Sequence, residues 1–119
     1  MGDKTSYLGN GVYKFCGADV VNCYLLKEEK IVIDTGNPKD REWLKGAIEA
    51  VIGLKEIKDV LLTHLHYDHS GNVRLFPDAK FYTSKEEIDA FNEHKSMLTF
   101  DYGFGVNEDI EKAKLRPIK

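Results

Sequence analysis

Thr63-His64-Leu65-His66-Tyr67-Asp68-His69-Ser70-Gly71-Asn72 is the stretch that decides how this 119-residue chain is interpreted. It holds three of the four histidines and follows Val60-Leu61-Leu62, an apolar run typical of a buried strand. In an extended backbone, residues two apart point the same way, so His64 and His66 can converge on one ion. On a helix the same side chains would diverge by about 200°. The polar cluster is therefore predicted at the end of a strand and in the turn that follows.

The residue types of this cluster are those of a metal site. Neutral imidazole and carboxylate are usual ligands of zinc, and they also suit iron and manganese. Asp68 and His69 lie in the predicted turn, placed to face a second ion beside the first. A polar loop with surface histidines and a purely structural metal site are the alternatives. Structural zinc usually takes cysteine and closes its fourth position, so we favour a catalytic site with open positions. Asp68, the carboxylate nearest the cluster, is the candidate catalytic residue that holds or orients a hydroxide.

The pattern His64-x-His66-x-Asp68-His69 resembles the signature of the metallo-β-lactamase superfamily of metallohydrolases. The earlier segment Ile31-Val32-Ile33-Asp34-Thr35-Gly36 is similar to another motif of that family, a strand ending in an aspartate. The later segment Leu75-Phe76-Pro77-Asp78-Ala79-Lys80-Phe81-Tyr82 is similar to the one that follows the signature in lactonase-like and glyoxalase II-like branches. The similarity covers roughly residues 10 to 95.

The resemblance implies a role for each matching residue. His64 and His66 would serve the first metal, Asp68 and His69 the second, and Asp34 would position the site as an outer-shell residue. The resemblance also implies one or two zinc ions, with iron or manganese as alternatives. The implied activity is hydrolysis of a small-molecule ester, lactone or thioester by metal-activated water. The implied fold is half of a four-layer αββα metallohydrolase.

Two features place the chain within that family. The iron-containing electron-transfer branch usually carries glutamate where this chain has His66, so the histidine favours the hydrolase branch. The family takes a further histidine, a bridging aspartate and a last histidine from its second half, whereas this sequence ends at Lys119. The remaining histidine, His94, lies at a polar helix end and is expected to be exposed. The alternative interpretation is therefore a catalytically incomplete half-domain, a fragment or truncated product that binds metal weakly and self-associates.

Composition limits the possible partners and compartment. The net charge is −3 with both signs mixed along the chain, and no basic stripe exists, so nucleic acid is not an expected partner. No segment has the length of a transmembrane helix and no signal peptide opens the chain, which predicts no membrane partner and a cytoplasmic location. Cys16 and Cys23 are expected to be free thiols, since two cysteines without close spacing make no disulfide framework.

The first half of the chain predicts a meander followed by a crossover. Apolar and alternating runs at 11–15, 20–26 and 31–34 predict three antiparallel strands, because the turns between them are too short for crossovers. Asn37-Pro38 is expected to open an amphipathic helix that Gly53 stops, and the strand Asp59 to Thr63 follows. The first six residues are expected to be a frayed terminus.

The second half predicts shorter elements in the same domain. Residues 70–76 are expected to form a short helix and 80–83 a strand. Ser84 and Glu87 predict a capping box for a helix that ends near His94. Phe100 to Val106 alternates as a weak strand or an aromatic flap, and residues 96–119 are expected to be weakly ordered or to pack on a partner.

The resulting fold class is α/β: a single domain, 1–119, with one mixed sheet of five or more strands and helices mainly on one face. A half-fold would leave the other sheet face apolar, which predicts a homodimer or a second half-chain as partner. The apolar residues assigned to that face are Val20, Leu25, Ile31, Ile33, Val60 and Leu62.

Overall fold

The computed structural model describes residues 4–17, 22–63, 65–94 and 106–118, and within this part seven strands form one sheet. The spatial order of the strands follows the chain. Strands β1 to β4 are antiparallel neighbours, and β4 to β7 are parallel neighbours. The mixed sheet, with a meander before a parallel part, is as predicted. The strands are β1 Lys4–Gly9, β2 Val12–Cys16, β3 Asn22–Leu26, β4 Ile31–Ile33, β5 Asp59–Leu61, β6 Lys80–Thr83 and β7 Arg116–Pro117.

Strand β1 corrects the expectation of a frayed terminus, because the chain is paired with β2 from Lys4 onward. A two-residue turn, Asn10-Gly11, joins the two strands, with φ of 55° and 79°. Positive φ at both central residues is what a type I′ hairpin needs, and Asn-Gly is its preferred sequence. The Asn-Gly pair was the signal in the sequence that predicts this hairpin.

The first helical segment begins as expected but in two steps. A 3-10 turn, Pro38–Asp40, comes first, and Asn37 caps it by accepting a hydrogen bond from Lys39 N at 2.9 Å. Helix α1, Arg41–Glu49, follows and buries Leu44 and Ile48. The capping role of Asn37 is confirmed, while the regular helix starts later than predicted.

The predicted stop at Gly53 is wrong. Helix α1 ends at Glu49, and Gly53 has an extended backbone with φ of −69°, not the left-handed conformation of a helix-ending glycine. Gly53 instead starts a 3-10 turn, Leu54–Glu56, in which the Glu56 carboxylate accepts a hydrogen bond from Gly53 N at 3.2 Å. A Cβ at this position would lie 2.8 Å from Glu56 Oε2, so the glycine makes room for that carboxylate.

Three further helices complete the described part: α2 Tyr67–Ser70, α3 Lys85–His94 and α4 Val106–Ala113. The short helix predicted over 70–76 is replaced by α2 and a 3-10 turn, Val73–Leu75. Helix α3 is confirmed, with Ser84 Oγ accepting a hydrogen bond from Glu87 N at 3.1 Å.

One face of the sheet carries the core. Alternate residues of the central strands pack with the buried residues of α1, α3 and α4 in a single hydrophobic cluster. Leu25, Val60 and Leu62, which we assigned to an exposed apolar face, are 0%, 0% and 2% exposed and belong to this core. They alternate with Ile31 and Ile33, which are half-buried on the opposite face. Val20 lies outside the described residues.

The opposite face, called the open face below, is still largely apolar. Its paired residues are half-buried, and they are Tyr24, Leu26, Ile31, Ile33, Leu61 and Tyr82.

The C-terminal segment departs from the expectation for residues 96–119. Residues 106–118 form α4 and β7, and Ile110 of α4 is 1% exposed in the core of the same chain. Asp109 of α4 forms an ion pair with Arg74 at 3.0 Å. Helix α4 therefore packs on its own chain, chiefly against α2 and the 3-10 turn Val73–Leu75. The alternating aromatic stretch lies, up to residue 105, outside the described residues.

Candidate metal centre

The His/Asp stretch lies beyond the carboxyl end of β5, as predicted. Strand β5 ends at Leu61, so the histidines follow the strand and are not part of it. His66 is exposed and extended, with φ of −63° and ψ of 157°, immediately before α2. Asp68 and His69 lie on the single turn of α2. His64 falls outside the described residues, so its position remains a prediction.

Asp34 is the centre of a buried polar cluster at the end of β4. It is 5% exposed and has a left-handed backbone, with φ of 61°, which turns the chain out of the strand. Its Oδ1 accepts a hydrogen bond from Thr63 N at 2.8 Å, and its Oδ2 accepts one from Thr63 Oγ1 at 2.7 Å. The same Oδ2 lies 3.0 Å from His69 Nδ1. Asp34 therefore joins the end of β4 to both sides of the His/Asp stretch.

These contacts decide which nitrogen of His69 faces outward. An ionised carboxylate accepts hydrogen bonds and cannot donate them, so Nδ1 of His69 carries the proton. In the neutral ring, Nε2 is then left with its lone pair. Nε2 lies 3.8 Å from Asp68 Oδ1, so these two donor atoms are neighbours on the same side of the ring. Histidine ligands of metals commonly have this arrangement, with the second nitrogen held by a carboxylate.

The donor chemistry of the described residues fits a divalent metal. His69 and Asp68 present an imidazole nitrogen and a carboxylate with side chains 24% and 37% exposed, and zinc, iron and manganese accept both. Within the described residues, which omit His64, no three His, Cys, Asp or Glu side chains form a group able to hold an ion. The structure thus brings together Asp34, Asp68 and His69, and the full ligand set of His64, His66, Asp68 and His69 stays a prediction.

A hydrogen-bond network of Thr35, Asn72 and Arg41, called the clasp below, fixes the backbone of His69. It was not predicted from the sequence. Thr35 donates to the His69 carbonyl oxygen from its N at 2.7 Å and from its Oγ1 at 2.8 Å. Asn72 donates from its N to Thr35 Oγ1 at 3.0 Å and from Nδ2 to the Thr35 carbonyl at 2.7 Å. Arg41 donates from Nε to Asn72 Oδ1 at 2.8 Å. Burial first, and then the charge of Arg74, lowers the pKa of the Arg41 guanidinium.

Two glycines allow the loops of the clasp to touch. Gly71 N donates to the Gly36 carbonyl at 3.1 Å, and Gly36 has φ of +75°. A Cβ on Gly71 would lie 2.6 Å from Gly36 O and would also meet Pro38 Cδ and Tyr67 O. The close approach of backbone to backbone thus requires glycine at position 71.

Cys23 lies beneath these loops and is not suited to bind the ion. Its Sγ would be 3.2 Å from a Cβ placed on Gly36. Burial, followed by the charges of Asp34 and Asp40, raises the pKa of the Cys23 thiol. A neutral thiol is a poor metal ligand. Cys16 and Cys23 are both free, as predicted.

The sequence model of the metallo-beta-lactamase superfamily matches residues 16–102. The chain belongs to the metallo-beta-lactamase superfamily. This superfamily membership agrees with a carboxylate-supported histidine at the end of parallel strands. Members of the superfamily bind divalent metals, typically zinc or iron.

Curated relatives support the same assignment and show how much of the protein is covered. A probable metallo-hydrolase of Methanocaldococcus jannaschii is 36% identical over 92 residues, which are 75% of this chain and 38% of that protein. The human metallo-beta-lactamase domain-containing protein 1 is 40% identical over 57 residues, 47% of this chain and 21% of that protein. The chain therefore spans between about a fifth and two-fifths of these superfamily relatives.

Solved structures show the fold. A subclass B3 metallo-beta-lactamase of Bradyrhizobium japonicum superimposes with a TM-score of 0.64 at 23% identity, over 76% of this chain and 36% of that one. The flavodiiron protein of Giardia intestinalis gives 0.67 at 24% identity, over 98% of this chain and 30% of that one. The predicted α/β fold is confirmed, and the chain covers only part of the metallo-beta-lactamase fold.

Proposed function

We propose that this chain is the N-terminal half of a metal-dependent hydrolase that acts on an ester, lactone or thioester. Superfamily membership supports a metal-dependent hydrolase. The observation that carries the proposal is the buried Asp34 carboxylate 3.0 Å from His69 Nδ1, which leaves Nε2 of that ring beside Asp68. A carboxylate that holds the second ring nitrogen in this way is common beside histidine ligands of metals, which supports the proposal.

The proposed ligand assignment rests on the resemblance of residues 64–69 to the superfamily signature. His64 and His66 would hold one ion, and Asp68 and His69 a second, with zinc as the proposed metal and iron or manganese as alternatives. A bound divalent ion supplies Lewis acidity that polarises a substrate carbonyl and lowers the pKa of water at the site to about 7. Asp34 would hold the ring of His69 and keep its proton on Nδ1.

Asp68 has a second proposed role, as the catalytic carboxylate. Its side chain is 37% exposed, so a water molecule and a substrate can both reach it. An ionised carboxylate accepts a hydrogen bond from an attacking water and orients its lone pair toward a carbonyl carbon. The preference for lactones and small thioesters rests on the resemblance of the segments 68–72 and 75–82 to lactonase-like and glyoxalase II-like branches.

The test is hydrolysis by chelator-treated protein before and after zinc is restored, on a panel of a lactone, a thioester and an aryl ester. We expect the turnover of this chain to be weak, because the superfamily takes further metal ligands from its second half. Zinc should restore that turnover, and Asp68→Asn should lower it by about 10²-fold or more. Asp78→Asn, an exposed aspartate in a turn, is the control and should leave turnover unchanged. Hydrolysis that persists after complete removal of metal would contradict the proposal.

A second candidate is a catalytically incomplete half-domain that binds metal weakly and self-associates as a homodimer or with a second half-chain. The open face favours it, because Ile33, Leu61 and Tyr82 form a half-exposed apolar row across three paired strands. Light scattering at low micromolar concentration would test it. Association that Leu61→Lys abolishes would support this candidate, whereas a monomer with robust zinc-dependent turnover would contradict it.

The proposed location is the cytoplasm. None of the helices in the described part of the chain is long and apolar enough to cross a membrane. Cys16 and Cys23 are free thiols, which are typical of a reducing compartment.

A further inference from the structure

Leu65 lies between the two histidines predicted to bind the first metal, and its backbone is anchored on both sides. Its N donates a hydrogen bond to Glu87 Oε1 at 3.0 Å, and its carbonyl accepts one from Ser70 Oγ at 2.7 Å. Its side chain is 0% exposed in the core. Leu65 is therefore held by two hydrogen bonds and by the burial of its side chain. Of these two hydrogen bonds, the one to Glu87 comes from outside the His/Asp stretch.

Glu87 is well placed to hold its carboxylate in this position. It lies in the first turn of α3, where the helix dipole stabilises negative charge. Its own N is fixed by the Ser84 Oγ cap at 3.1 Å, so the side chain starts from a defined point. An ionised acceptor makes a shorter and stronger hydrogen bond to an amide than a neutral acceptor does. The sequence pattern predicts Glu87 as the capping-box partner of Ser84. In the structure the Glu87 carboxylate instead accepts a hydrogen bond from Leu65 N, 22 residues earlier in the chain.

We propose that Glu87 is a positioning residue for the metal centre, which fixes the backbone of Leu65, the residue before His66, and so helps to set the direction of the His66 ring. This inference rests on the proposed metal-dependent function. A helix residue far along the sequence would then connect α3 to the ligand loop. Loss of this contact should weaken metal binding while the fold persists, because outer-shell partners act on ligand orientation.

The test compares three changes at Glu87 with a matched control. Glu87→Met has similar length and no acceptor, Glu87→Asp withdraws the acceptor by one methylene, and Glu87→Gln keeps an acceptor oxygen. Glu86→Met makes the same substitution at the exposed neighbour on α3. Zinc affinity is measured by competition with a chromophoric chelator, below the unfolding transition of every variant. Exchange of the Leu65 amide is measured by NMR on the metal-free proteins.

We expect Glu87→Met and Glu87→Asp to weaken zinc binding by about 10- to 100-fold, and Glu87→Gln to retain most of the affinity. The Leu65 amide proton should exchange faster in Glu87→Met than in wild type, whereas its exchange rate should be unchanged in Glu86→Met. If Glu87→Met does not fold, Glu87→Asp gives the same comparison. Equal affinity in wild type, Glu87→Met and Glu87→Asp would overturn the positioning role alone. A wild-type chain that binds no zinc would overturn the proposed function, and the positioning role with it.

Discussion

Replacement of Asp34 by asparagine changes the chemistry of the site while nearly preserving its shape. The native carboxylate accepts from Thr63 N at 2.8 Å and Thr63 Oγ1 at 2.7 Å, and it faces His69 Nδ1 at 3.0 Å. Asparagine offers one acceptor oxygen and one amide nitrogen that only donates. If the oxygen faces Thr63 N, the amide nitrogen faces His69 Nδ1. The ring then lowers its energy by moving its proton to Nε2, the nitrogen predicted to bind metal.

The expected size of this effect follows from the outer-shell position of Asp34. Loss of such a partner typically costs about 10- to 100-fold in metal affinity, or about 1.4–2.8 kcal/mol. The free energy of unfolding of the metal-free protein should fall less in Asp34→Asn than in Asp34→Ala. Alanine leaves the Thr63 N–H without its acceptor in a partly buried position, which costs up to about 1–3 kcal/mol.

Zinc competition titration of wild type, Asp34→Asn and Asp34→Ala measures the first effect, and urea unfolding of the metal-free proteins measures the second. Asp78→Asn serves as a control because that residue is exposed in a turn. The reasoning would be refuted by an Asp34→Asn variant that is folded and binds zinc as tightly as wild type.

Three further predictions concern stability. Gly71→Ala should lower the free energy of unfolding in urea by about 1–3 kcal/mol. Gly46→Ala on α1, where a Cβ meets nothing within 4 Å, should raise it by about 0.5–1 kcal/mol. The reverse order would contradict the close backbone contact between Gly71 and Gly36. Ile110→Ala should lower the free energy of unfolding by about 2–5 kcal/mol, and a negligible loss would mean that α4 does not pack into the core. Burial raises the pKa of Cys23, so the folded state favours the neutral thiol. The neutral Cys23 thiol contributes its full stabilisation below the pKa of about 8.5 that the thiol has in the unfolded chain, and this stabilisation is lost as pH rises. The free energy of unfolding of wild type should therefore fall more steeply between pH 8 and 10 than that of Cys23→Ala. Parallel pH profiles of the two proteins would refute this.

The elements that rest on local patterns were predictable. Period-two alternation predicted β2, and a short apolar run predicted β4. Capping residues predicted the turn that begins after Asn37 and the start of α3. All of these signals depend on a few neighbouring residues. The same alternation also decides which strand residues face the helices. We assigned Leu25 and Ile31 to one face without applying it across the strands, and the register shows that they lie on opposite faces.

The contacts that build the site were harder to predict, because they join residues far apart in the sequence. The position of Asp34 after a strand was visible, but its contact with His69 spans 35 residues and depends on the parallel pairing of β4 with β5. Glu87 shows the same limit. Its local pattern indicates a capping box, and only the packing of α3 beside the ligand loop brings its carboxylate to Leu65.

Zinc content tests the central claim most directly. Wild type, a His64→Ala/His66→Ala double variant and a His94→Ala control are dialysed against low micromolar zinc, passed through a desalting column and analysed by mass spectrometry for metal. Wild type and His94→Ala should retain roughly one or two ions per chain, and the double variant markedly less. Equal zinc in all three proteins would contradict the assignment of the His/Asp stretch as the metal centre.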